Sequence, residues 1–140
     1  MERRRFLKDS CNICLLGSAG FFFPQLTGCA TTQGGYTAEI INKTINVPVV
    51  LFEKSTLQLV RPKGWYYDIA VQKKEDNTYA AMLLQCTHQE NQLTRSGSGY
   101  TCSLHGSQFD LSGNVQKGPA SKPLEKYNTS VSGDQLTIHL

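Results

Sequence analysis

A chain of 140 residues, 39% hydrophobic and 18% charged, holds one small domain, since domains usually take about 100 residues or more. The net charge of +3 is slight and scattered, short of the clustered Lys/Arg face that nucleic acid requires, so no nucleic-acid partner is expected. Five cysteines are an odd number, which excludes a complete disulfide framework and leaves a free thiol, a metal or a modification to take up the remainder.

The chain opens on Arg3, Arg4, Arg5 and Lys8, followed by an apolar run over 13–26, the order of a signal peptide's basic and hydrophobic regions. Gly17, Gly20 and Pro24 interrupt that run, which is shorter than the roughly 20 apolar residues that span a bilayer. Arg3-Arg4-Arg5-Phe6-Leu7-Lys8 resembles the twin-arginine export signal, with Glu2 where Ser or Thr is usual; an ordinary basic region is the alternative. Leu26-Thr27-Gly28-Cys29 looks like a bacterial lipobox, which implies cleavage after residue 28 and a diacylglycerol on the Cys29 thiol. A plain thiol near an uncleaved anchor is the other reading of Cys29. An acylated Cys29 would hold the protein on a membrane, each buried CH₂ adding about 0.8 kcal/mol. The small polar residues up to 35 read as a lipidated flexible tether over 29–35. Loss of 1–28 removes four basic and two acidic side chains, leaving a net charge of +1.

From residue 36 to 140, short β-branched or aromatic runs predict strands over 45–52, 57–60, 65–71, 79–84, 100–102, 127–131 and 136–140. Turn chemistry separates them at 61–64, 73–77, 96–99, 112–114 and 132–134. The expected class is all-β. Tyr127, Thr129 and Val131 alternate before Ser132-Gly133-Asp134, and Leu136, Ile138 and Leu140 after it, the pattern of a hairpin. Trp65, Tyr66 and Tyr67 are expected to pack in the core or at a sheet edge.

The chemical signal is Cys86-Thr87-His88, thirteen residues, then Cys102-Ser103-Leu104-His105-Gly106-Ser107. Two Cys-His pairs suffice for a tetrahedral zinc site, although such sites usually space their cysteines C-x₂₋₄-C. Here each pair mixes one sulfur with one nitrogen. His139 lies in the terminal hairpin, away from both pairs, and is expected on a strand surface.

A C-x-H pair followed at this distance by C-x₂-H is similar to the Rieske family, whose [2Fe–2S] cluster is held by two thiolates on one iron and two imidazoles on the other. His105-Gly106-Ser107-Gln108-Phe109-Asp110 extends the likeness, as do Gly113 and the run Gly118-Pro119-Ala120 with Pro123-Leu124, which looks like the family's proline loop. The resemblance implies an antiparallel Rieske-like β-sandwich over 36–140, with a small cluster-binding part, about 84–123, inserted in a base domain. It also implies one [2Fe–2S] cluster, with Cys86 and Cys102 on the buried iron and His88 and His105 on the outer one. The Ser107 hydroxyl would donate to a bridging sulfide; Gly106 and Ser107 as simple turn residues are the other reading.

Quinol-oxidising members carry an extra cysteine in each box, joined as a disulfide; Asn91 and Leu104 hold those places here. Gln89 replaces a bulky apolar residue and Phe109 replaces a tyrosine. A lost tyrosine hydrogen bond with a net value near 1 kcal/mol would lower a one-electron couple by about 40 mV. The expected potential lies in the lower or middle part of the family window of about −150 to +300 mV. Neither a substrate pocket nor an acid–base constellation is apparent, so an electron-transfer protein or redox subunit is expected in place of an independent enzyme. The expectation is a lipid-anchored one-electron carrier on the periplasmic side of a membrane, inner or outer, exchanging with a cytochrome or membrane oxidoreductase. The alternative is a Rieske subunit of a quinol- or oxyanion-oxidising respiratory complex. A soluble ferredoxin would suit the disulfide-free boxes but conflicts with an export signal.

Overall fold

The structure, a computed structural model, describes residues 34–140. The signal peptide expected over 1–28, the lipidation site Cys29 and most of the tether lie outside the described residues. Twelve strands follow in order: β1 (Tyr36–Ala38), β2 (Ile40–Ile41), β3 (Thr44–Pro48), β4 (Leu57–Pro62), β5 (Ile69–Lys73), β6 (Tyr79–Leu83), β7 (Thr94–Ser96), β8 (Gly99–Thr101), β9 (Gln108–Asp110), β10 (Val115–Lys117), β11 (Lys126–Ser132) and β12 (Gln135–His139). Eight of them form one sheet in the order β1-β4-β5-β6-β11-β12-β3-β2, and β10-β9-β8-β7 form a second. Glu39 alone separates β1 from β2, which occupy opposite ends of the larger sheet, so the chain's entry brings its two edges together. All pairings between these strands are antiparallel except that of β1 with β4. The all-β expectation and the terminal hairpin hold, with Val131 opposite Leu136 across the turn.

Side chains alternate across a strand, and the middle of the large sheet uses both faces. Ile69 and Val71 of β5 and Ala81 and Leu83 of β6 enter one core with Ile45, Val47, Leu136 and Ile138. Ala70 and Met82, between them in sequence, enter a second core with Leu93, Tyr100, Phe109 and both Cys86 and Cys102. Strands buried on both faces read as continuous apolar runs. The smaller sheet therefore packs on the outer face of the strands that close the first core.

The expected strand over 45–52 stops at Pro48, and Val49–Phe52 form a short 3-10 turn whose Val49 N–H donates to Asp134 O at 2.8 Å. Trp65 and Tyr66 correct the expectation of core or edge packing. Gly64 takes a φ of +80° in a turn closed by Trp65 N–H on Pro62 O, so β5 starts only at Ile69. Trp65 is 38% and Tyr66 74% exposed, while half-buried Tyr67 donates its hydroxyl to Glu90 O at 2.6 Å. Asn42 and Lys43 both take left-handed φ, of 51° and 60°, making the tight turn between β2 and β3.

Candidate metal centre

Two loops at one end of the smaller sheet carry the Cys-His pairs. The first leaves β6 and returns through the Gln85–Gln92 bridge, with Leu93 N–H on Leu84 O and Cys86 N–H on Asn91 O, both at 2.8 Å. The second connects β8 to β9, with Cys102 N–H on Ser107 O at 2.8 Å and Gly106 N–H on Cys102 O at 3.0 Å. Gly106 takes a φ of +76°, a conformation that L side chains rarely adopt. The run over 118–124 ties to both loops. Ala120 N–H donates to the Ser107 hydroxyl at 3.0 Å, and Thr87 Oγ1 donates to Lys122 O at 2.7 Å.

The fold brings the expected ligand residues together and divides them by depth. Cys86 and Cys102 are each 1% exposed and free of disulfide. His88 and His105 are exposed above them, their ring centroids 5.0 Å apart and their planes at 85°. Burial pushes the Cys102 thiol up, but backbone N–H groups of Leu104 and His105, with the Cys86 and Asn91 side chains, outweigh it and hold the thiol below its ordinary value. The donor set is two soft sulfurs on the buried side and two imidazoles on the solvent side. Among the described residues, no three His, Cys, Asp or Glu side chains are grouped to hold a single metal ion. A donor set split in this way fits a centre of two metals better than a tetrahedral zinc.

Ser107 is fully buried and accepts from Ala120 N–H, which places its hydroxyl between the second ligand loop and the proline-containing run. The buried Tyr100 hydroxyl finds no partner among the described residues, and burial pushes its pKa up to about 12, so it stays protonated. His139 is exposed and meets the Ser130 hydroxyl at 2.9 Å, far in sequence from the ligand loops, as expected of a strand surface residue.

Leu104 is 55% exposed at the tip of the second loop. Asn91 does not face solvent alone: its Nδ2 lies 3.7 Å from Cys102 Sγ, 3.5 Å from Ser103 Oγ and 3.3 Å from Gln92 O. Sequence reasoning saw at Asn91 only a missing cysteine. An amide at that position signals a donor near the second loop, but its target emerges only once the loops are folded together.

Residues 43–128 match the family model described as the Rieske [2Fe-2S] domain. The chain is 28% identical over 124 aligned positions to the cytochrome b6-f complex iron-sulfur subunit 1 of Trichormus variabilis, spanning 84% of this chain and 68% of that subunit. It is 27% identical over 148 positions to the cytochrome b6-f complex iron-sulfur subunit of a Synechococcus species, spanning 97% and 86%. In structure it is similar to the cyanobacterial plasma membrane Rieske protein PetC3 from Synechocystis PCC 6803, with a TM-score of 0.56 and 24% identity over 68% of this chain and 98% of that one. With its family model matched over more than half its length and the strands arranged as in a Rieske fold, the chain belongs to the Rieske [2Fe–2S] family, and its cofactor is a [2Fe–2S] cluster.

Proposed function

We propose that this protein is a membrane-tethered carrier of single electrons on the periplasmic side, with Cys86 and Cys102 holding one iron and His88 and His105 the other. The observation that carries this reading is the layering of two exposed imidazoles over two buried, disulfide-free thiols. When bound, the cluster supplies a one-electron couple whose potential is raised by neutral imidazole ligation. The buried thiols exclude water from their side of the centre. The exposed rings of His88 and His105 leave a short path to a partner's cofactor. The buried Ser107 hydroxyl, accepting from Ala120 N–H, holds the covering run against the second ligand loop.

Tethering rests on the export signal and on Cys29, the proposed lipid site, which together assign Cys11 and Cys14 to the signal peptide and leave no surplus thiol in the mature chain. A folded, loaded domain suits the twin-arginine route, which moves proteins already folded. A second reading, a subunit of a quinol-oxidising or oxyanion-oxidising complex, is favoured by the similarity to cytochrome b6-f iron-sulfur subunits. The absent disulfide cysteines at Asn91 and Leu104 weigh against it. Mixing reduced protein with a c-type cytochrome, and oxidised protein with a quinol, separates the two. Rapid oxidation by the cytochrome without reduction by quinol supports the carrier, and direct reduction by quinol supports the subunit. Mass spectrometry of membrane-extracted protein checks Cys29: a mature chain beginning there with added acyl mass is expected, and an unmodified Cys29 would remove the anchor.

A further inference from the structure

We infer that Asn91 is a positioning residue that clamps the two ligand loops together and tunes the centre by donating its side-chain N–H to the Cys102 sulfur. The inference rests on the proposed roles of Cys86 and Cys102 and deepens them. Asn91 engages both loops at once. Its main-chain carbonyl, which any residue at 91 would supply, accepts from Cys86 N–H at 2.8 Å and ties the backbone of the first sulfur residue. Its Nδ2 reaches across to the second loop, 3.7 Å from Cys102 Sγ and 3.5 Å from Ser103 Oγ. The cysteine that stands here in disulfide-bearing relatives would link to position 104, but Leu104 points outward and is 55% exposed. The clamp has therefore moved from a covalent bond at the loop tips to an amide directed at the sulfur beneath them.

The electrical consequence differs from that of a disulfide. A donor to a ligating sulfur stabilises the more negative, reduced state and so raises the potential. Phe109 is buried and has no hydroxyl to offer, so the Asn91 amide supplies a donor to a ligating sulfur that this position lacks. Asn91 is half-buried, where such a bond is less screened than at the open surface.

The test uses the full chain carrying its cluster. Asn91→Ala should lower the reduced-to-oxidised ratio at a fixed applied potential about fivefold, a midpoint fall of about 40 mV at 59 mV per tenfold. Asn91→Asp, of the same shape but without the N–H and with a negative charge, should lower it further. Gln89→Ala, exposed on the same loop, should leave it unchanged. Asn91 variants that melt earlier at an unchanged midpoint would make the residue a brace only and overturn the inference. A measurement independent of variant folding uses wild-type chain carrying ¹⁵N only in asparagine side chains. Pulsed electron paramagnetic resonance of the reduced form should show a weak ¹⁵N coupling, and its absence contradicts the donation. Failure of the underlying ligand reading has a separate signature: Cys102→Ser would keep its iron and its spectrum.

Discussion

The two hydrophobic cores lie on opposite faces of the same strands and are built by different means. The first is assembled from alternate residues of paired strands, with Ile45, Val47, Ile69, Val71, Leu136 and Ile138 all fully buried. The second takes Leu57, Ala70 and Met82 from the large sheet and the rest from three-residue strands and loops around Cys86 and Cys102. Strands of three residues pair too little to stand alone. The loops are held by the Ser107 to Ala120 bond, the Thr87 to Lys122 bond and the amide of Asn91. One face is thus a scaffold that apolar burial can sustain, and the other is a site whose loops are held by hydrogen bonds between them.

The sharpest way to break that contrast is Cys102→Ser. Iron content should fall to near zero while far-UV circular dichroism keeps its β signal and thermal unfolding remains cooperative, because the first core is untouched. Collapse of the whole sheet along with the iron would show that the two faces are one folding unit.

Ile138→Ala attacks the other side. Removing a fully buried side chain from the first core should cost about 2–5 kcal/mol in denaturant unfolding. The visible spectrum of the native protein should not change. A spectral shift at low denaturant would mean that the first core positions the ligand loops directly.

Ser107→Ala probes the tie between the loops. It leaves the Ala120 N–H without its acceptor in a buried place, a loss of about 1–3 kcal/mol. The midpoint potential should also fall if the hydroxyl donates to a sulfur. A drop in stability at constant potential would confine Ser107 to packing.

The smallest effect concerns Asp110 at the end of β9, where its side chain caps the turn to β10. Burial pushes its carboxyl up, but the Asn114 side chain, the backbone N–H groups of Asn114 and Ser112, and nearby Lys126 outweigh it and hold the pKa below the ordinary carboxylate value. A depressed folded-state pKa gives stability that is present above the unfolded value of about 3.9 and is lost as pH falls through the folded one. Stability should therefore be insensitive to this group between about pH 5 and 8 and decline below about pH 4. Asp110→Asn should remove part of that acid sensitivity, by a modest amount because solvent screens the group. Equal acid sensitivity in both proteins would assign the decline elsewhere.

The parts legible in the sequence were those with a long or rigid signature. Five-residue strands such as β5 and β12 alternate visibly, and the spacing of Cys86, His88, Cys102 and His105 is set by the loops that hold them. β1, β2, β7, β9 and β10 escaped because two or three residues carry no period. The aromatic run at Trp65 and Tyr66 has strand composition, but the turn at Gly64 delays the strand past it. Asn91 escaped for another reason: a substitution shows what is lost at a position, and only the folded loops show where the new side chain is directed. If Asn91 donates to Cys102 as inferred, that bond would offset the tyrosine hydroxyl missing at Phe109, and the midpoint is then expected nearer the middle than the bottom of the family window of about −150 to +300 mV.

The most direct test of the central claim is metal analysis of the intact chain together with electron paramagnetic resonance of its reduced form, compared between wild type and His88→Ala. About two irons per chain and a Rieske-type spectrum that His88→Ala abolishes are expected. Zinc in place of iron, or an unchanged spectrum in His88→Ala, would contradict the assignment of this site.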